Sequence, residues 1–303
     1  MLLIVGEAIV AYQRDLATAP ADDATELPFE GPWPSGSPAI TAYVAARLGV
    51  PTAFVGGVGN DAEGVVMRRG LQDGGVDVTH LYQRPLATGN GYVTYLDGTD
   101  GGRTFDFHVA GSAATAVSPQ DLAGLPEKAS WLHLSGSTLL FGEPLAAAAM
   151  AALRRAKASG ALISVDINTR PELLTEQGRR EILSAVGLAD VLLPSSGELE
   201  SLGLDPATLA AAGVVICTTE GAAGATLYQR TGTVHIPAVP VAAIDPDGAG
   251  DSFAAGFIAA SLAGSAPEGA VRFAGQVAAE AVSVIGPMTA TFTHLRVPAS
   301  SDR

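Results

Sequence analysis

The chain has 303 residues, of which 48% are hydrophobic, and a formal net charge of -14 at pH 7. This length and composition predict a folded globule with a buried core. The excess of acid argues against a nucleic-acid-binding protein, because the basic surface that would replace condensed counterions is missing. The single cysteine, Cys217, excludes a disulfide framework and a cysteine-based zinc site. No apolar stretch reaches the roughly 18 residues that span a bilayer, so we expect no membrane contact and a cytoplasmic protein.

Short apolar runs alternate with alanine-rich or amphipathic segments along most of the chain. This pattern is typical of an α/β fold in which helices cover both faces of a mostly parallel sheet, and ligands of such folds bind at the carboxyl ends of the strands. The predicted strands are 2–5, 52–55, 131–134, 162–166, 191–193 and 214–217, and the predicted helices include 40–48, 144–158, 179–188 and 253–262.

Two segments interrupt this alternation. Residues 11–34 are polar and rich in proline, whereas 90–96 and 103–109 look like two strands joined by the glycine-containing turn 97–102. We therefore expect a small β lid, contributed by roughly 8–34 and 88–112, on a single domain that spans 1–303. A lid over the strand ends suits phosphoryl transfer, because it keeps water away from the reactive phosphate.

The stretch 245–253 ends a polar loop in small residues and leads directly into the apolar helical run 253–262. The first N–H groups of a helix have no internal partner and lie at the positive end of its dipole, so a glycine-lined helix start can receive phosphate oxygens. Asp251 is then a carboxylate inside an anion site, which suits a base that takes a proton from a phosphate-accepting hydroxyl. This stretch therefore predicts a kinase site, and the simpler interpretation is a capped helix start with an acid in its first turn.

Two other nucleotide-binding motifs are absent from the sequence. The two lysines, Lys128 and Lys157, do not follow a glycine-rich loop, so there is no GxxxxGK[ST] phosphate loop. The first predicted strand is followed by Gly6-Glu7-Ala8 and not by GxGxxG, which argues against a dinucleotide-dependent oxidoreductase. Helix N-termini, an arginine and a divalent cation held by carboxylates remain to neutralise nucleotide phosphates.

A series of segments, ordered along nearly the whole chain, carries a family resemblance. They are Gly6-Glu7 after the first strand, Ser35-Gly36-Ser37-Pro38-Ala39, 45–49 with Gly59, Asp61 and Gly64, the DxNxRP element at 166–171, Ser195-Ser196-Gly197-Glu198 in place of NxxE, the GxxG loop at 219–224, and the stretch 245–253. In this order and spacing they resemble the ribokinase-like, or PfkB, carbohydrate kinase family. The resemblance implies a ribokinase-like three-layer fold and ATP-dependent phosphorylation of a hydroxymethyl group on a small sugar or polyol.

The resemblance also implies roles for single residues. Asp251 would be the catalytic base, and Gly248, Ala249 and Gly250 would offer backbone N–H groups to the charge on the transferred phosphoryl group. Residues expected to bind the acceptor are Gly36, Ile40, His108, Arg170, Asp245 and Asp251. Residues expected to bind ATP are Ser195, Thr219, Gly221, Gly224 and Gly250.

Cofactors follow from the same resemblance. Glu198 would act on Mg²⁺ through water, which fits the reluctance of magnesium to shed its hydration shell. Asp245 and Asp247 would form a site for a monovalent cation such as K⁺, and Asp245 would otherwise hold its loop. Asp247 stands where the family has a smaller polar residue, and an extra carboxylate there would either strengthen or disturb such a site.

The chain departs from the family pattern at the acceptor. Ile40 replaces an asparagine and Ala11 replaces an acid, so two polar groups expected to touch acceptor hydroxyls are missing. A hydroxyl left without partners loses roughly 1 to 3 kcal/mol, and the usual sugar therefore does not follow from the family. The arginine that holds a sugar-acid carboxylate in one subgroup is absent from 108–113, which favours a neutral polyol or ketose, with His108 as a candidate hydrogen-bonding partner.

Several alternatives stay open at this point. Ile40, Tyr92 and Phe107 would supply an apolar wall for the base of a nucleoside, and a sugar acid of the 2-keto-3-deoxygluconate type is the other acceptor within the family. A relative that binds a metabolite without catalysis is the alternative from another class. The resemblance also implies a homodimer formed through the lid.

Overall fold

The computed structural model describes residues 1–16, 27–96, 102–125 and 129–298. Residues 17–26 of the predicted lid and 97–101 of the predicted hairpin turn lie outside these ranges. Among the described residues, no helix combines the length and the apolar character needed to cross a membrane.

The strands and helices follow one another in close alternation. The strands are β1 Leu2–Val5, β2 Ile9–Asp15, β3 Glu30–Ser35, β4 Thr52–Gly59, β5 Asp77–Arg84, β6 Gly89–Tyr95, β7 Arg103–His108, β8 Trp131–Ser135, β9 Leu162–Asp166, β10 Val191–Leu192, β11 Val215–Thr219, β12 Ala225–Gln229 and β13 Gly232–Ile236. The helices are α1 Ser37–Arg47, α2 Ala62–Asp73, α3 Ser137–Leu140, α4 Leu145–Ser159, α5 Glu176–Val186, α6 Glu198–Ser201, α7 Pro206–Ala211, α8 Ala249–Leu262 and α9 Pro267–Ala281.

Within the described ranges, the central sheet has the strand order β13-β12-β11-β10-β9-β8-β1-β4-β5. Its pairs from β11 through to β5 are parallel, and β12 and β13 add an antiparallel edge. Successive residues of β1 enter two separate cores, Leu2 and Ile4 on one face and Leu3 and Val5 on the other. The predicted three-layer fold is therefore confirmed.

Helix α8 is buried almost completely, because the sheet, α1 and α9 all pack around it. Gly256 allows the close approach of α9, since a Cβ at this position would lie 2.9 Å from the Cα of Ala274. The helix is thus held rigidly, and the chemical groups at its N-terminus are fixed relative to the sheet.

A second, smaller sheet has the strand order β3-β2-β6-β7. It uses parts of both segments predicted to form the lid, and we call it the lid. One of its faces looks into a cavity, and Ala11, Gly91, Val93, Phe105 and Phe107 line that cavity. Because side chains alternate along a strand, the residues between them face the opposite side.

The strands and helices named from the sequence do not include strands β5, β12 and β13 or helices α2, α3, α6, α7 and α9. β5 and β13 are the two edge strands of the central sheet, where one side is unpaired and polar residues are tolerated, and β12 lies next to one of these edges. Their hydrophobic pattern is correspondingly weak.

Candidate active site

Two adjoining cavities lie at the carboxyl ends of β9, β10 and β11, next to the lid. The larger has a volume of about 860 Å³ and extends along the 219–225 and 236–243 loops. The smaller, of about 40 Å³, lies under the lid. Arg170, Asp247 and Asp251 line both cavities and therefore stand at their junction.

Helix α8 begins directly after Gly248, whose φ of 76° lies in the left-handed region. A Cβ on Gly248 would come within 3.1 Å of Pro287 Cβ and 3.2 Å of Ile40 Cγ2, so the backbone conformation and the packing both require glycine. Gly250 is different, because a Cβ there would meet nothing within 4 Å. It borders the larger cavity, so the fold itself leaves this position open.

The backbone N–H groups of Gly250 and Asp251 have no hydrogen-bond partner in the described part of the chain. The N–H of Ala249 donates to Pro246 O at 3.3 Å, and the N–H of Gly248 contacts the Asp247 carboxylate. Of the three residues predicted to offer N–H groups, Gly250 thus keeps a free donor. Asp251 adds a second one.

Asp251 lies in the first turn of α8 and is buried. Its carboxylate accepts a hydrogen bond from the Ser37 hydroxyl, and the Asn168 side chain in turn donates to Ser37 Oγ at 2.6 Å. Burial raises the pKa of Asp251 to about 7; the Ser37 hydrogen bond and the charge of Arg170 lower it, and the nearby Asp247 carboxylate raises it. With a pKa of about 7, both the protonated and the ionised form of this carboxyl group are populated at neutral pH.

A second buried carboxylate, Glu7, lines the smaller cavity. It accepts hydrogen bonds of 2.7 Å from the hydroxyls of Ser137 and Thr138. Burial raises the pKa of Glu7 despite these bonds. Glu7 also adds to the negative potential at Asp251, so the two carboxyl groups influence each other.

The smaller cavity is mainly apolar on its lid side. Gly36 stands at its edge with a φ of 102°, and a Cβ there would lie 2.8 Å from Glu7 O, so only glycine fits. Ile40, predicted as an acceptor contact, lines the cavity, as does Ala11. Phe107 and Phe141 meet edge to face at 5.4 Å across it. The missing polar groups noted in the sequence therefore leave an apolar wall.

Two arginines flank the ring of Phe105 on the lid. The Arg170 guanidinium lies 5.1 Å from the ring centroid and that of Arg103 lies 5.2 Å from it. Arg170, predicted to bind the acceptor, lines both cavities. Arg103 was not predicted as a site residue, although its alternation with Phe105 and Phe107 on one strand is a signal that places all three on the same face.

Asp245 is buried and fully engaged by protein donors. Its Oδ1 accepts from the Tyr95 hydroxyl at 2.7 Å and from Asp247 N at 2.9 Å, and its Oδ2 accepts from Gly286 N at 2.9 Å. These bonds favour the loop-holding role over contact with an acceptor hydroxyl. Asp247 faces both cavities; burial raises its pKa, and the charges of Arg103 and Arg170 lower it.

The structure does not bring His108 to the cavities. Its side chain is 58% exposed, lies 3.2 Å from Asp106 Oδ2, and packs edge to face on Tyr92. Phe107, the residue before it, faces the cavity, and the alternation of side chains along β7 therefore turns His108 to the outer face of the lid. Tyr92 lies on that outer face too, which removes it from the wall proposed for a nucleoside base.

The loops predicted to bind nucleotide lie side by side along the larger cavity. Ser195 and Thr219 pair in a parallel bridge that continues β10 and β11, and both residues line the cavity. Gly221 and Gly224 line it as well and have φ values of 57° and 113°. A Cβ at Gly224 would lie 2.2 Å from Ile236 O, so the backbone of this loop requires glycine there.

The comparisons with known proteins agree with this geometry. A profile described as the pfkB family carbohydrate kinase matches residues 2–293. The chain belongs to this family. Among curated relatives of the kinase, a fructokinase of Klebsiella pneumoniae is 35% identical over 273 residues, which cover 85% of this chain and 88% of the relative.

Solved structures resemble the kinase over nearly its whole length. A ribokinase II from E. coli in complex with ATP and Mg²⁺ is 31% identical, with a TM-score of 0.84 and coverage of 96% of this chain and 95% of the other. A fructokinase double mutant from Vibrio cholerae O395, with fructose, ADP and a potassium ion bound, is 29% identical, with a TM-score of 0.82 and coverage of 96% and 94%. The protein is thus a carbohydrate kinase that phosphorylates a sugar with ATP, and the non-catalytic alternative is not supported.

Glu198 lies between two loops of the kinase. Its Oε1 accepts from Thr169 N at 2.6 Å and Thr169 Oγ1 at 3.0 Å, and its Oε2 accepts from Ser195 N at 2.7 Å. Burial raises the pKa of Asp166 well above its usual range, and the charges of Glu198 and Asp251 raise it further. In the described ranges, no cluster of three acidic, histidine or cysteine side chains is arranged to hold a metal directly. Protein donors occupy both oxygens of Glu198, and Asp166 rather than Glu198 lines the larger cavity, so any contact of Glu198 with a cation would run through water.

Proposed function

We propose that this kinase transfers the γ-phosphoryl group of ATP to a hydroxymethyl group of a small neutral sugar, with fructose as the first acceptor to examine. One observation carries the proposal: Asp251 is a buried carboxylate at the junction of the two cavities. The larger cavity would hold the nucleotide and the smaller one the reacting end of the acceptor. A hydroxyl in the smaller cavity would then lie between the base and the phosphoryl group.

Each group at the junction has a distinct task in this proposal. Asp251 takes the proton of the acceptor hydroxyl, and its raised pKa, about 7, suits a base that works near neutral pH. Ser37 holds the carboxylate in place through its hydrogen bond. The free N–H groups of Gly250 and Asp251 and the positive end of α8 stabilise the charge on the transferred group. Arg170 neutralises charge from the other side of the junction.

Mg²⁺ would supply the neutralisation of the phosphate charge. Glu198, whose two oxygens already accept protein hydrogen bonds, would hold it only through water, and Asp166, which lines the larger cavity, would add a second acidic group. A monovalent cation such as K⁺ would depend mainly on Asp247, because protein donors already occupy both oxygens of Asp245. Activity in K⁺, Na⁺ and choline buffers measures this dependence.

The acceptor pocket favours a neutral sugar over other acceptors, with one alternative supported by the structure. The apolar wall of Ile40, Phe107 and Phe141 suits the carbon face of a sugar, and it also suits the base of a nucleoside. A nucleoside is therefore the second candidate. A sugar acid of the 2-keto-3-deoxygluconate type stays in the panel as a further test of Arg170.

We further propose that 1–303 form one catalytic domain, with a lid contributed by 8–34 and 88–112, and that two copies associate through the lid. The outer face of the lid supports this association, because Tyr12 and Tyr92 stack there at 5.1 Å and Phe29 packs on Tyr92. Light scattering at several concentrations measures the oligomeric state. The use of ATP favours a cytoplasmic location.

The experiment that tests the function is ADP release from MgATP with a panel of ketoses, aldoses, polyols, 2-keto-3-deoxy sugar acids and nucleosides. Asp251→Asn is assayed in parallel, since it keeps the size of the side chain and removes the base. We expect turnover with one acceptor class and a decrease of about 10²- to 10⁴-fold in the variant. Full activity of Asp251→Asn would overturn the assignment of the base.

A further inference from the structure

Two lid residues make hydrogen bonds to the short loop that leads into helix α8. The Tyr95 hydroxyl donates to Asp245 Oδ1 at 2.7 Å, and Gln13 Nε2 donates to Asp247 Oδ2 at 3.4 Å. We call these four residues the lid–loop contact. Tyr95 ends strand β6 and Gln13 lies in the neighbouring strand β2, so the contact involves two strands of the lid.

Asp245 connects the lid–loop contact to two further backbone groups near the site. Besides Tyr95, it binds the backbone N–H of Asp247 and the backbone N–H of Gly286. The ring of Trp33, on lid strand β3, packs against Gly286, where a Cβ would lie 3.2 Å from Trp33 Cε3. The lid therefore reaches both loops beside the start of α8.

The residues that follow Asp247 in the chain include Gly250 and Asp251, which carry the N–H donors and the carboxylate of the proposed phosphoryl site. Asp247 is followed directly by Gly248, whose left-handed conformation sets the direction of the first turn of α8. Gly250 and Asp251 belong to the tightly packed helix α8, whereas Asp245 and Asp247 lie in the loop before it, so the lid–loop contact acts most directly on the Asp247 carboxylate, which lines both cavities. The Tyr95 hydroxyl stays protonated, since burial and the charges of Asp247 and Asp245 raise its pKa.

We propose that Tyr95 is a positioning residue that couples the lid over the acceptor to the phosphoryl site. Acceptor that binds under the lid favours the position in which Tyr95 engages Asp245, and this fixes the loop that presents the Asp247 carboxylate to both cavities, beside Gly250 and Asp251. Acceptor and nucleotide then increase each other's affinity, and the effect is reciprocal because both bind the same conformation. The proposal rests on the function proposed for Gly250 and Asp251.

The chain offers a matched control on the same strand. Tyr92 lies three residues before Tyr95 and faces the outer side of the lid, where it stacks on Tyr12. Tyr95→Phe and Tyr92→Phe remove the same hydroxyl group from opposite faces of one strand. Gln13→Ala removes the other half of the lid–loop contact and leaves every bond of Asp245 in place.

The coupling is measured by calorimetry as the ratio of the dissociation constants of a magnesium-bound β,γ-imido ATP analogue without and with saturating acceptor. The acceptor is fructose or whichever member of the panel gives the highest turnover. For the wild type we expect a ratio between about 5 and 150, the usual range of coupling between two sites. We expect Tyr95→Phe to reduce the ratio at least threefold and to lower kcat more than it raises the KM of the acceptor. Gln13→Ala should show a smaller change and Tyr92→Phe none.

A wild-type ratio of one, or an unchanged ratio in Tyr95→Phe, would overturn the proposal. Thermal unfolding of each variant separates this effect from loss of folding, and a Tyr95→Phe protein with normal stability and reduced coupling supports a positioning role. The coupling is read from binding, whereas the assignment of Asp251 is read from turnover. The two proposals can therefore fail separately.

Discussion

The two walls of the cleft differ in the kind of group that each presents. The wall formed by the main sheet and α8 carries buried carboxyl groups, among them Glu7, Asp166 and Asp251, whose pKa values burial raises. The lid wall carries aromatic rings and the side chain of Arg103. Its polar contacts go mostly to loops of the main body, as the bond from Tyr95 to Asp245 illustrates.

The two walls of the cleft therefore serve different parts of the reaction. Groups that exchange protons or stabilise charge need fixed positions, and the packed core around α8 supplies them. Groups that cover the acceptor need to let it enter and leave, which suits a separate sheet. Changes on the main-sheet wall should therefore lower kcat, whereas changes on the lid should act mainly on KM, except at Tyr95, whose contact with the loop before α8 should affect coupling and kcat.

Gly250→Ala tests the main-sheet wall with the largest effect expected in this comparison. The added methyl group would meet no protein atom within 4 Å, and it would point into the cavity where the phosphoryl group is proposed to lie. We expect a decrease in kcat of about 10²-fold, comparable to the loss of one hydrogen-bond donor to the transition state. Steady-state kinetics with saturating MgATP measure it.

Gly248→Ala is the matched control, because it places the same methyl group two residues earlier. Here the left-handed backbone and the contacts with Pro287 and Ile40 make alanine strained, and we expect a loss of about 1 to 2 kcal/mol in the free energy of unfolding. Gly250→Ala should leave unfolding unchanged. If both variants lost stability and activity together, the result would contradict the proposal that the phosphoryl group lies in the open space at Gly250.

The next largest effect is expected in the pH dependence of kcat/KM. Burial raises the pKa of Asp251 to about 7, so below that value an increasing fraction of the carboxyl group is protonated and unable to act as a base. We expect kcat/KM to fall about tenfold for each pH unit below 7 and to level off above it. Initial rates between pH 5 and about 9 measure this limb, and Asp251→Asn should remove it. An acid limb near pH 4 would show that a carboxyl group with an ordinary pKa controls the reaction.

The site residues on the main-sheet wall could be predicted from the sequence more completely than those on the lid wall. The stretch 245–253 carries its signal locally, since glycines, an acid and an apolar helix follow one another, and the structure places Asp251 at the junction of the cavities. The alternation of apolar runs likewise predicts the central sheet, because parallel strands buried on both faces are apolar throughout.

On the lid, a side chain reaches the cavity only if it lies on the inward face of its strand. A shift of one residue in the predicted strand register moves each side chain to the opposite face. His108 was proposed as an acceptor contact from its place in the family pattern, but its side chain faces outward, whereas its neighbour Phe107 lines the cavity. Tyr95 follows the same inward alternation but touches a partner far away in the sequence, Asp245. Such contacts have no local signal, so only the folded structure reveals them.

The smallest effect is expected when substitutions of the neighbours Phe107 and His108 are compared. Phe107 lies against Phe105 and Phe141 and lines the acceptor cavity, with ring centroids 5.5 and 5.4 Å apart. Phe107→Ala removes an aromatic contact worth about 0.5 to 1.5 kcal/mol beyond its buried area, so we expect the KM of the acceptor to rise about tenfold with little change in kcat. His108→Ala removes an exposed side chain on the outer face and should change KM less than twofold. If His108→Ala gave the larger increase in KM, β7 would present the opposite face to the acceptor, and the assignment of the lid wall, including the inward position of Tyr95, would have to be reversed.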